Sequence, residues 1–286
     1  MKEQENTYVI DAESGAETAR LLDQDHLMTQ ALGGLFPKPV ETYLHEGATI
    51  LDLGCGPGGW VQEVVHAFPG VEVVGLDNSR TIIAYARAQA KVQGLQNRVQ
   101  FHVADITTLP WSFPDASFDV VNARFMVGFL HRQIWPRVVQ ECFRIVKPGG
   151  YVVLTEPEWG TTNSMAGERL ASMALHSFHK SGLGFSFDGR QLGIIHMLDP
   201  LLRDNGGAQV EMTAHVLNMT YGREFYDAGT KNMFIAYHLM ADFFVKTGLA
   251  ASKEEVANLC EQMRADTYLE TYSGAMVMAR AWSQKL

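Results

Sequence analysis

Short apolar runs alternate with helical patterns from Thr49 to about Leu154, and no other feature of the sequence constrains the fold as strongly. Five runs have the composition of buried strands: residues 50–53, 71–76, 99–103, 118–122 and 151–155. Helices are predicted between them over residues 58–68, over 80–92 with Ser79 as the N-cap, and over 132–146, before a Lys-Pro-Gly-Gly turn. Strands joined by helical crossovers predict a doubly wound α/β domain with a parallel sheet.

Two regions lie outside this alternation. Residues 1–48 precede the first strand and contain a helical stretch from about Ala12 to Leu32. After Glu156 the pattern loosens, with a helix near 190–205, a strand over 209–217, helical stretches near 227–246 and 252–268, and a last strand over 275–282. We therefore predict an N-terminal helical extension, residues 1–48, and a sheet domain, residues 49–286. Segments near 158–190 and 220–270 are predicted to form a lid on the sheet.

Composition limits the function classes. The chain has 286 residues, of which 47% are hydrophobic and 19% charged, so global disorder is excluded. A net charge of −9 argues against nucleic acid as the main partner, which needs clustered Lys and Arg. No apolar run reaches the roughly 18 residues of a membrane span, and the acidic start at Met1 lacks the apolar segment of a signal peptide. The three scattered cysteines indicate neither a disulfide framework nor a metal site, which agrees with the expectation of a soluble, cytoplasmic protein.

A glycine-rich loop follows the first strand. Residues 52–59 read Asp-Leu-Gly-Cys-Gly-Pro-Gly-Gly, which satisfies Gly-x-Gly-x-x-Gly, and Asp77 lies 18 residues after the last glycine. Alone, this pattern is typical of a nicotinamide dinucleotide site, with the acid on the ribose. Asp52, two residues before the first glycine, has no role in that fingerprint. A further acid, Asp105, follows the third strand.

The loop, Asp77, Asp105, the Phe-Asp-Val-Val run at 118–121 and the Pro-Gly-Gly turn at 148–150 together resemble the class I S-adenosylmethionine-dependent methyltransferases. The resemblance covers about residues 49–156 and is nearest to the small-molecule group that includes the ubiquinone and menaquinone methyltransferases. More faintly, the chain resembles C-methyltransferases of bacterial secondary metabolism, such as that of the teleocidin pathway. The resemblance implies a Rossmann-like doubly wound seven-stranded sheet, mostly parallel with an antiparallel edge strand, plus an N-terminal helix and helical lid insertions. It also implies S-adenosyl-L-methionine as cofactor and S-adenosyl-L-homocysteine as product.

The same resemblance assigns cofactor contacts to the carboxyl ends of the strands. Asp52 is expected near the ammonium, Asp77 on both ribose hydroxyls and Asp105 on the adenine amino group. The remaining candidates are the glycines that admit the ligand (Gly54, Gly56 and Gly58), the adenine neighbours Asn78 and Ile106, Asn122 and Ala123 beneath the methionine chain, and Tyr8 and Gln24 from a leading helix.

Structural roles compete with several of these assignments. Asp77 can cap the following helix, and Asp105 can be a turn acid. Asp119 fits a structural acid at a strand entrance, and Cys55 a small buried loop residue. The N-terminal helix either packs on its own chain or is exchanged between subunits, which would make a homo-oligomer.

The methyl acceptor is expected to be a hydrophobic or aromatic small molecule. The lid is rich in methionine and aromatic residues, which form adaptable apolar pockets, and its basic residues are scattered. Transfer from a sulfonium is an in-line displacement that relies on positioning, so a base is optional. The candidate bases are Glu156, His131, His176 and His179. No spacing of ligating residues indicates a metal.

The favoured function is therefore C- or O-methylation of such a molecule in natural-product biosynthesis. An NAD(P)-dependent oxidoreductase and a cofactor-binding module without turnover remain as alternatives. Transfer of an aminopropyl group would need an acidic polyamine pocket, which the lid does not offer.

Overall fold

The computed structural model describes residues 8–11 and 14–286. They form a seven-stranded sheet with the order β3-β2-β1-β4-β5-β7-β6. Strands β1 to β5 pair in parallel, and β7 lies antiparallel between β5 and the edge strand β6. The strands are β1 (Thr49–Leu53), β2 (Glu72–Asp77), β3 (Val99–Val103), β4 (Phe118–Arg124), β5 (Val146–Thr162), β6 (Gly207–Asn218) and β7 (Gly274–Lys285).

Helices cover both faces of this sheet. They are α1 (Gly15–Ala31), α2 (Lys38–Tyr43), α3 (Gly59–Ala67), α4 (Arg80–Val92), α5 (Trp135–Ile145), α6 (Met165–Lys180), α7 (Leu198–Arg203), α8 (Tyr226–Leu239), α9 (Ala241–Lys246) and α10 (Lys253–Thr267). A 3-10 turn, Met126–Gly128, follows β4, and another, Ile195–Met197, precedes α7.

Successive residues of each central strand enter different cores, because side chains of a strand alternate between faces. Ile50, Val120 and Val153 belong to a core with Trp60 of α3. The adjacent residues Leu51, Val121 and Val152 belong to a second core beneath α5 and α6. We call the side of the sheet that carries the first core the α3 face and the side that carries the second core the α5 face. Every residue of β4 is buried, including the polar Asp119, Asn122 and Arg124, so its apolar residues do not alternate with exposed polar ones.

The first four predicted strands and the helices between them are confirmed to within a few residues. The fifth strand, predicted over 151–155, is longer in the structure, because Val146 already pairs with Phe118 of β4. The predicted Lys-Pro-Gly-Gly turn therefore lies within β5. The N-cap is also confirmed, because Ser79 Oγ accepts a hydrogen bond of 3.1 Å from the N–H of Ile82. The seven-stranded, mostly parallel sheet implied by the resemblance is confirmed as well. The expected helix start at Ala12 and the interpretation of the first five residues as lacking a signal peptide lie outside the described residues.

Three predicted helices differ from the structure. The helix predicted near 190–205 is confined to Leu198–Arg203, because Gly189 and Gly193 have φ of +78° and +66°, which no right-handed helix accommodates. The helix predicted over 132–146 begins only at Trp135, after a turn in which Ile134 N–H bonds the His131 carbonyl. The stretch near 227–246 is divided at Met240 into α8 and α9.

Candidate cofactor site

A pocket opens at the carboxyl ends of β1, β2, β3 and β4, beneath α1. Parallel strands place their carboxyl ends at one edge of the sheet, which is where ligands bind in such folds. Nine of the predicted cofactor residues line this pocket. They are Tyr8, Gln24, Asp52, Gly54, Gly56, Asp77, Asn78, Asp105 and Ile106.

The glycine turn after β1 is fastened to the end of β2. Gly54 and Gly56 have φ of +65° and +52°, a left-handed conformation that favours glycine. The Gly56 N–H donates a hydrogen bond of 3.1 Å to Asp77 Oδ2, and the Ser79 N–H donates one of 2.9 Å to Oδ1. Asp77 therefore holds the loop as well as facing the pocket, so the structural and ligand roles considered for it coexist.

The turn after β3 orients the second acid. Asp105 Oδ1 accepts hydrogen bonds from the N–H and the hydroxyl of Thr107, at 2.8 and 2.7 Å. Ile106 is buried beside it, and its carbonyl accepts the indole N–H of Trp111 at 3.1 Å. Asp105 is thus a turn acid whose carboxylate also borders the pocket.

Asp52 lies deeper than the other two acids. Asn122 Nδ2 donates a 2.7 Å hydrogen bond to its Oδ1. Burial raises the pKa of Asp52 to about 7, and the nearby charge of Arg124 opposes that rise. Asp52 is therefore close to half ionised at neutral pH, and a cation in the pocket would favour its charged form.

Three predicted cofactor residues are not part of the pocket lining. Gly58 has φ of +80°, and a Cβ there would lie 2.7 Å from the Phe101 ring, so this glycine serves packing. The Asn122 side chain hydrogen-bonds Asp52, which does line the pocket, so Asn122 positions that carboxyl group. Ala123 is buried in the core of the α5 face, because it follows Asn122 on a strand whose side chains alternate.

None of the four predicted bases lines the pocket. Glu156 is fully buried on the α5 face, and its carboxylate accepts the N–H groups of Met126 and Val127 at 2.7 and 3.2 Å. Burial raises the pKa of Glu156 to about 8. Its contacts support the turn after β4, whose neighbours Phe125 and Phe129 do line the pocket.

The three predicted histidine bases lie in and around α6. His131 packs against the backbone of Gly182, where a Cβ would lie 2.0 Å from Nε2. His176 Nδ1 hydrogen-bonds the Ser172 carbonyl at 2.8 Å, within α6. His179 Nδ1 is buried without a hydrogen-bond partner among the described residues. His176 and His179 therefore both lie outside this pocket.

An ion pair between α1 and β4 forms part of the wall and was missed in the sequence. Asp25 bonds the guanidinium of Arg124 and also accepts the Trp60 N–H at 3.3 Å. The guanidinium lies 5.4 Å from the centroid of the Trp60 ring. Arg124 stands at the carboxyl end of β4, two residues after Asn122, so the strand-end rule that selected Asn122 could have found it.

A buried polar network supports the predicted residues of the N-terminal region. Tyr8 Oη donates a 2.6 Å hydrogen bond to Glu17, whose carboxylate also accepts Arg20 Nε at 2.6 Å. Arg20 Nη1 reaches Gln24 at 2.6 Å and Asn232 of α8 at 3.0 Å. Tyr8 and Gln24 are pocket residues, so this network connects one side of the pocket to α8.

Two structural assignments made from the sequence are confirmed. Asp119 accepts the Thr49 N–H at 2.7 Å and Lys147 Nζ at 2.8 Å, and these hydrogen bonds keep its pKa below the usual range despite burial. Cys55 is a buried residue of the glycine loop, and burial raises its pKa well above the ordinary value for a thiol. It is therefore an unreactive packing residue.

Among residues 8–11 and 14–286, no group of three or more His, Cys, Asp or Glu side chains is arranged to hold a metal ion. Within the same ranges, no helix combines the length and the apolar character that crossing a lipid bilayer requires.

Comparison with known proteins gives the domain family. Residues 50–150 match a family model described as a methyltransferase domain. A sterol 24-C-methyltransferase of Gibberella zeae is 33% identical over 143 residues, which are 50% of this chain and 36% of that protein. A demethylmenaquinone methyltransferase of Thermus thermophilus is 38% identical over 107 residues, 37% of this chain and 46% of that protein. The match thus spans less than half the length of either curated relative.

Solved structures share the fold across most of the chain. A Haemonchus contortus phosphoethanolamine N-methyltransferase 2 in complex with S-adenosyl-L-methionine has a TM-score of 0.54 at 18% identity, covering 96% of this chain and 57% of that one. A structure described as a putative sarcosine dimethylglycine methyltransferase from Galdieria sulphuraria has a TM-score of 0.52 at 15% identity, covering 90% and 84%. The resemblance to class I methyltransferases inferred from the sequence is confirmed.

Proposed function

We propose that this chain, whose residues 50–150 form a class I methyltransferase domain, transfers a methyl group from S-adenosyl-L-methionine to a hydrophobic or aromatic small molecule. The observation that carries the proposal is the charge of the pocket. Among the described residues, four carboxyl groups line it (Asp25, Asp52, Asp77 and Asp105), against one guanidinium, that of Arg124. S-adenosylmethionine has an ammonium, a sulfonium and one carboxylate, and its net positive charge suits such a wall.

The glycine loop separates this proposal from a dinucleotide site. A pyrophosphate needs free backbone N–H groups at the loop and the helix that follows it. Here the Gly56 N–H is bonded to the Asp77 carboxylate, and the Gly58 N–H to the Cys55 carbonyl at 3.1 Å. Two negative phosphates would also lie among four acids. These contacts favour a ligand without phosphate.

The residues of the pocket fit the parts of this cofactor. Asp77 would accept the ribose hydroxyls, and Asp105 the adenine amino group with Ile106 against the ring. Asp52, held by Asn122, would face the ammonium. When bound, the cofactor supplies an activated methyl group, and the protein's task is to orient it, exclude water and present the acceptor in line.

The acceptor side is apolar in our proposal. Leu21, Phe125 and Phe129 line the pocket together with Tyr8, whose ring makes an edge contact with Phe129 at 6.3 Å between centroids. Because Glu156 and the predicted histidine bases line no part of the pocket, we favour an acceptor that needs no base, such as an electron-rich carbon, over an alcohol. A role in natural-product biosynthesis, a cytoplasmic location and a homo-oligomer formed through α1 stay predictions.

Calorimetric titration with S-adenosylmethionine, S-adenosylhomocysteine and NADH tests the cofactor. We expect binding of the first two alone, and binding of NADH alone would reverse the proposal. Asp77→Ala should weaken affinity by about 1–3 kcal/mol through lost charge-assisted hydrogen bonds. Asp77→Asn keeps the size of the side chain and should weaken it less. Glu72→Gln, at the exposed opposite end of β2, is the matched control and should bind like the wild type.

Turnover separates an enzyme from a binding module. The purified chain is incubated with S-adenosylmethionine labelled in its methyl group and a panel of apolar aromatic and prenylated compounds. We expect label in at least one acceptor, and less label with the Asp77→Ala variant at a cofactor concentration near the dissociation constant of the wild type. Binding without transfer across the panel would favour the module.

A further inference from the structure

Three polar residues form a row across the sheet, on its α3 face. In the register of the sheet, Arg124 of β4 lies opposite Thr155 of β5, which lies opposite Arg280 of β7. Directly paired residues point to the same face of a sheet, and two strand spacings separate the arginine Cα atoms by about 10 Å. Their exposed fractions are 7%, 0% and 2%. Two arginines are thus buried on the same face of the sheet, two strands apart.

Each member of the row has a polar atom without a partner among the described residues. These atoms are Arg124 Nη1, Thr155 Oγ1 and Arg280 Nε. The indole N–H of Trp60, whose ring lies against the Arg124 guanidinium, is unpartnered as well. Most of the unpartnered atoms can only donate hydrogen bonds. Each buried donor that lacks a hydrogen bond costs free energy, so we expect a hydrogen-bond acceptor to bind beside this row.

Arg124 has an acidic partner, but no acid among residues 8–11 and 14–286 forms an ion pair with Arg280. Arg124 is paired with Asp25, whereas Arg280 donates a hydrogen bond of 2.9 Å from Nη2 to the Gly34 carbonyl. Asp52 bonds Asn122 and neither arginine. Burial and the nearby Arg280 lower the pKa of His215, so that ring adds no positive charge at neutral pH. Burial lowers the pKa of Arg280 to about 10, which leaves its guanidinium charged.

We propose that the row Arg124–Thr155–Arg280 is a buried subsite for a small monovalent anion, next to the pocket that Arg124 lines. An anion of halide or carboxylate size can accept several hydrogen bonds at once and offsets the excess positive charge. Two sources share this chemistry, a free halide and a carboxylate carried by a bound amino-acid group. Only the second source depends on the proposed function.

Bromide is the probe for the ligand-free protein. Unfolding in urea is followed at fixed ionic strength while gluconate is replaced by bromide. Once the site is saturated, we expect the folding equilibrium constant to rise tenfold for each tenfold rise in bromide. Crystals soaked in bromide should show an anomalous peak between the two guanidiniums. Stability independent of bromide, with no such peak, would overturn the proposal.

Variants assign the effect to the row. Arg280→Met should abolish the bromide dependence, and Thr155→Val, which keeps the side-chain volume, should weaken it if the first variant does not fold. Arg169→Met is the control, because Arg169 is an exposed arginine of α6, and it should retain the full dependence. A dependence retained in both row variants would also overturn the proposal.

A final arm distinguishes the sources. With saturating S-adenosylhomocysteine, a loss of the bromide dependence shows that its carboxylate occupies the subsite, whereas a retained dependence assigns the subsite to a free halide. Both results support an anion subsite. The proposed function can fail, through lack of cofactor binding, while the bromide result stands.

Discussion

Asp52 makes the affinity for S-adenosylmethionine depend on pH just below neutrality. Burial raises its pKa to about 7 in the ligand-free pocket. The cofactor's ammonium requires the ionised carboxylate as its neighbour, so binding must release the proton that Asp52 carries at lower pH. Affinity is therefore full above the pKa and is lost as the pH falls through it.

The expected magnitude follows from the fraction of Asp52 that is ionised. With a pKa of about 7, that fraction is about 3% at pH 5.5 and about 76% at pH 7.5. Because the affinity scales with this fraction, the contribution of Asp52 should make it fall about 25-fold between these values, or about 2 kcal/mol. The range stops at pH 7.5 because an α-amino group itself titrates at about 7.7–8.0.

Calorimetry in two buffers of different ionisation enthalpy measures both affinity and proton release. We expect about one proton released per cofactor bound at pH 5.5 and almost no net release at pH 7.5, where the amino group of the cofactor takes up about as much as Asp52 releases. Asp52→Asn should bind more weakly at pH 7.5, with little change between the two values. Asp204→Asn, an exposed acid just after α7, is the control and should follow the wild type. An equal pH dependence in the Asp52 variant would refute the reasoning.

Three further substitutions test the surroundings of the site. Gly58→Ala places a Cβ 2.7 Å from the Phe101 ring of β3, at a residue whose backbone is left-handed. The free energy of unfolding in urea should therefore fall by about 2–4 kcal/mol. Gly94→Ala, with φ of +71° and open space, should lose only about 1 kcal/mol, and equal losses would contradict the packing role. Arg20→Met leaves the buried Glu17 carboxylate without its guanidinium and should cost about 3–5 kcal/mol in the same assay, where a negligible loss would be evidence against the network. Burial raises the pKa of Glu156 to about 8, so the native chain retains a proton that the unfolded chain releases near pH 4.5, and wild-type stability should fall with pH over that interval. The stability of Glu156→Gln relative to wild type should therefore improve from pH 5 to pH 8, and a constant difference would count against this ionisation.

The sheet and its ligand edge could be predicted because their signals are local. Strands β1 to β4 lie within two residues of the predicted runs, and Ser79 caps α4 as its residue type indicates. Asp77 and Asp105 each follow a predicted strand, and parallel strands end at one edge, so chain order alone brings both acids to the pocket.

The glycine loop shows where sequence reasoning ends. Gly54 and Gly58 are equivalent in the motif, and both require positive φ. Only Gly54 faces the pocket, because a Cβ at Gly58 would meet the ring of Phe101, which is 43 residues away in the chain. A contact between residues so far apart in the chain cannot be inferred from the spacing of the glycines.

The wall of the pocket depends on the same kind of distant contact. Asp25 reaches Arg124 only because α1 packs over the end of β4, and the helical pattern of residues 12–32 did not show which face of α1 would do so. The position of Arg124 at the end of a strand could be predicted, but the net charge around it could not. That charge depends on Arg280, which the antiparallel β7 places on the α3 face beside Thr155. The sheet edge therefore fixes where a ligand binds, and the strands and helices added after residue 154 determine which charges it meets.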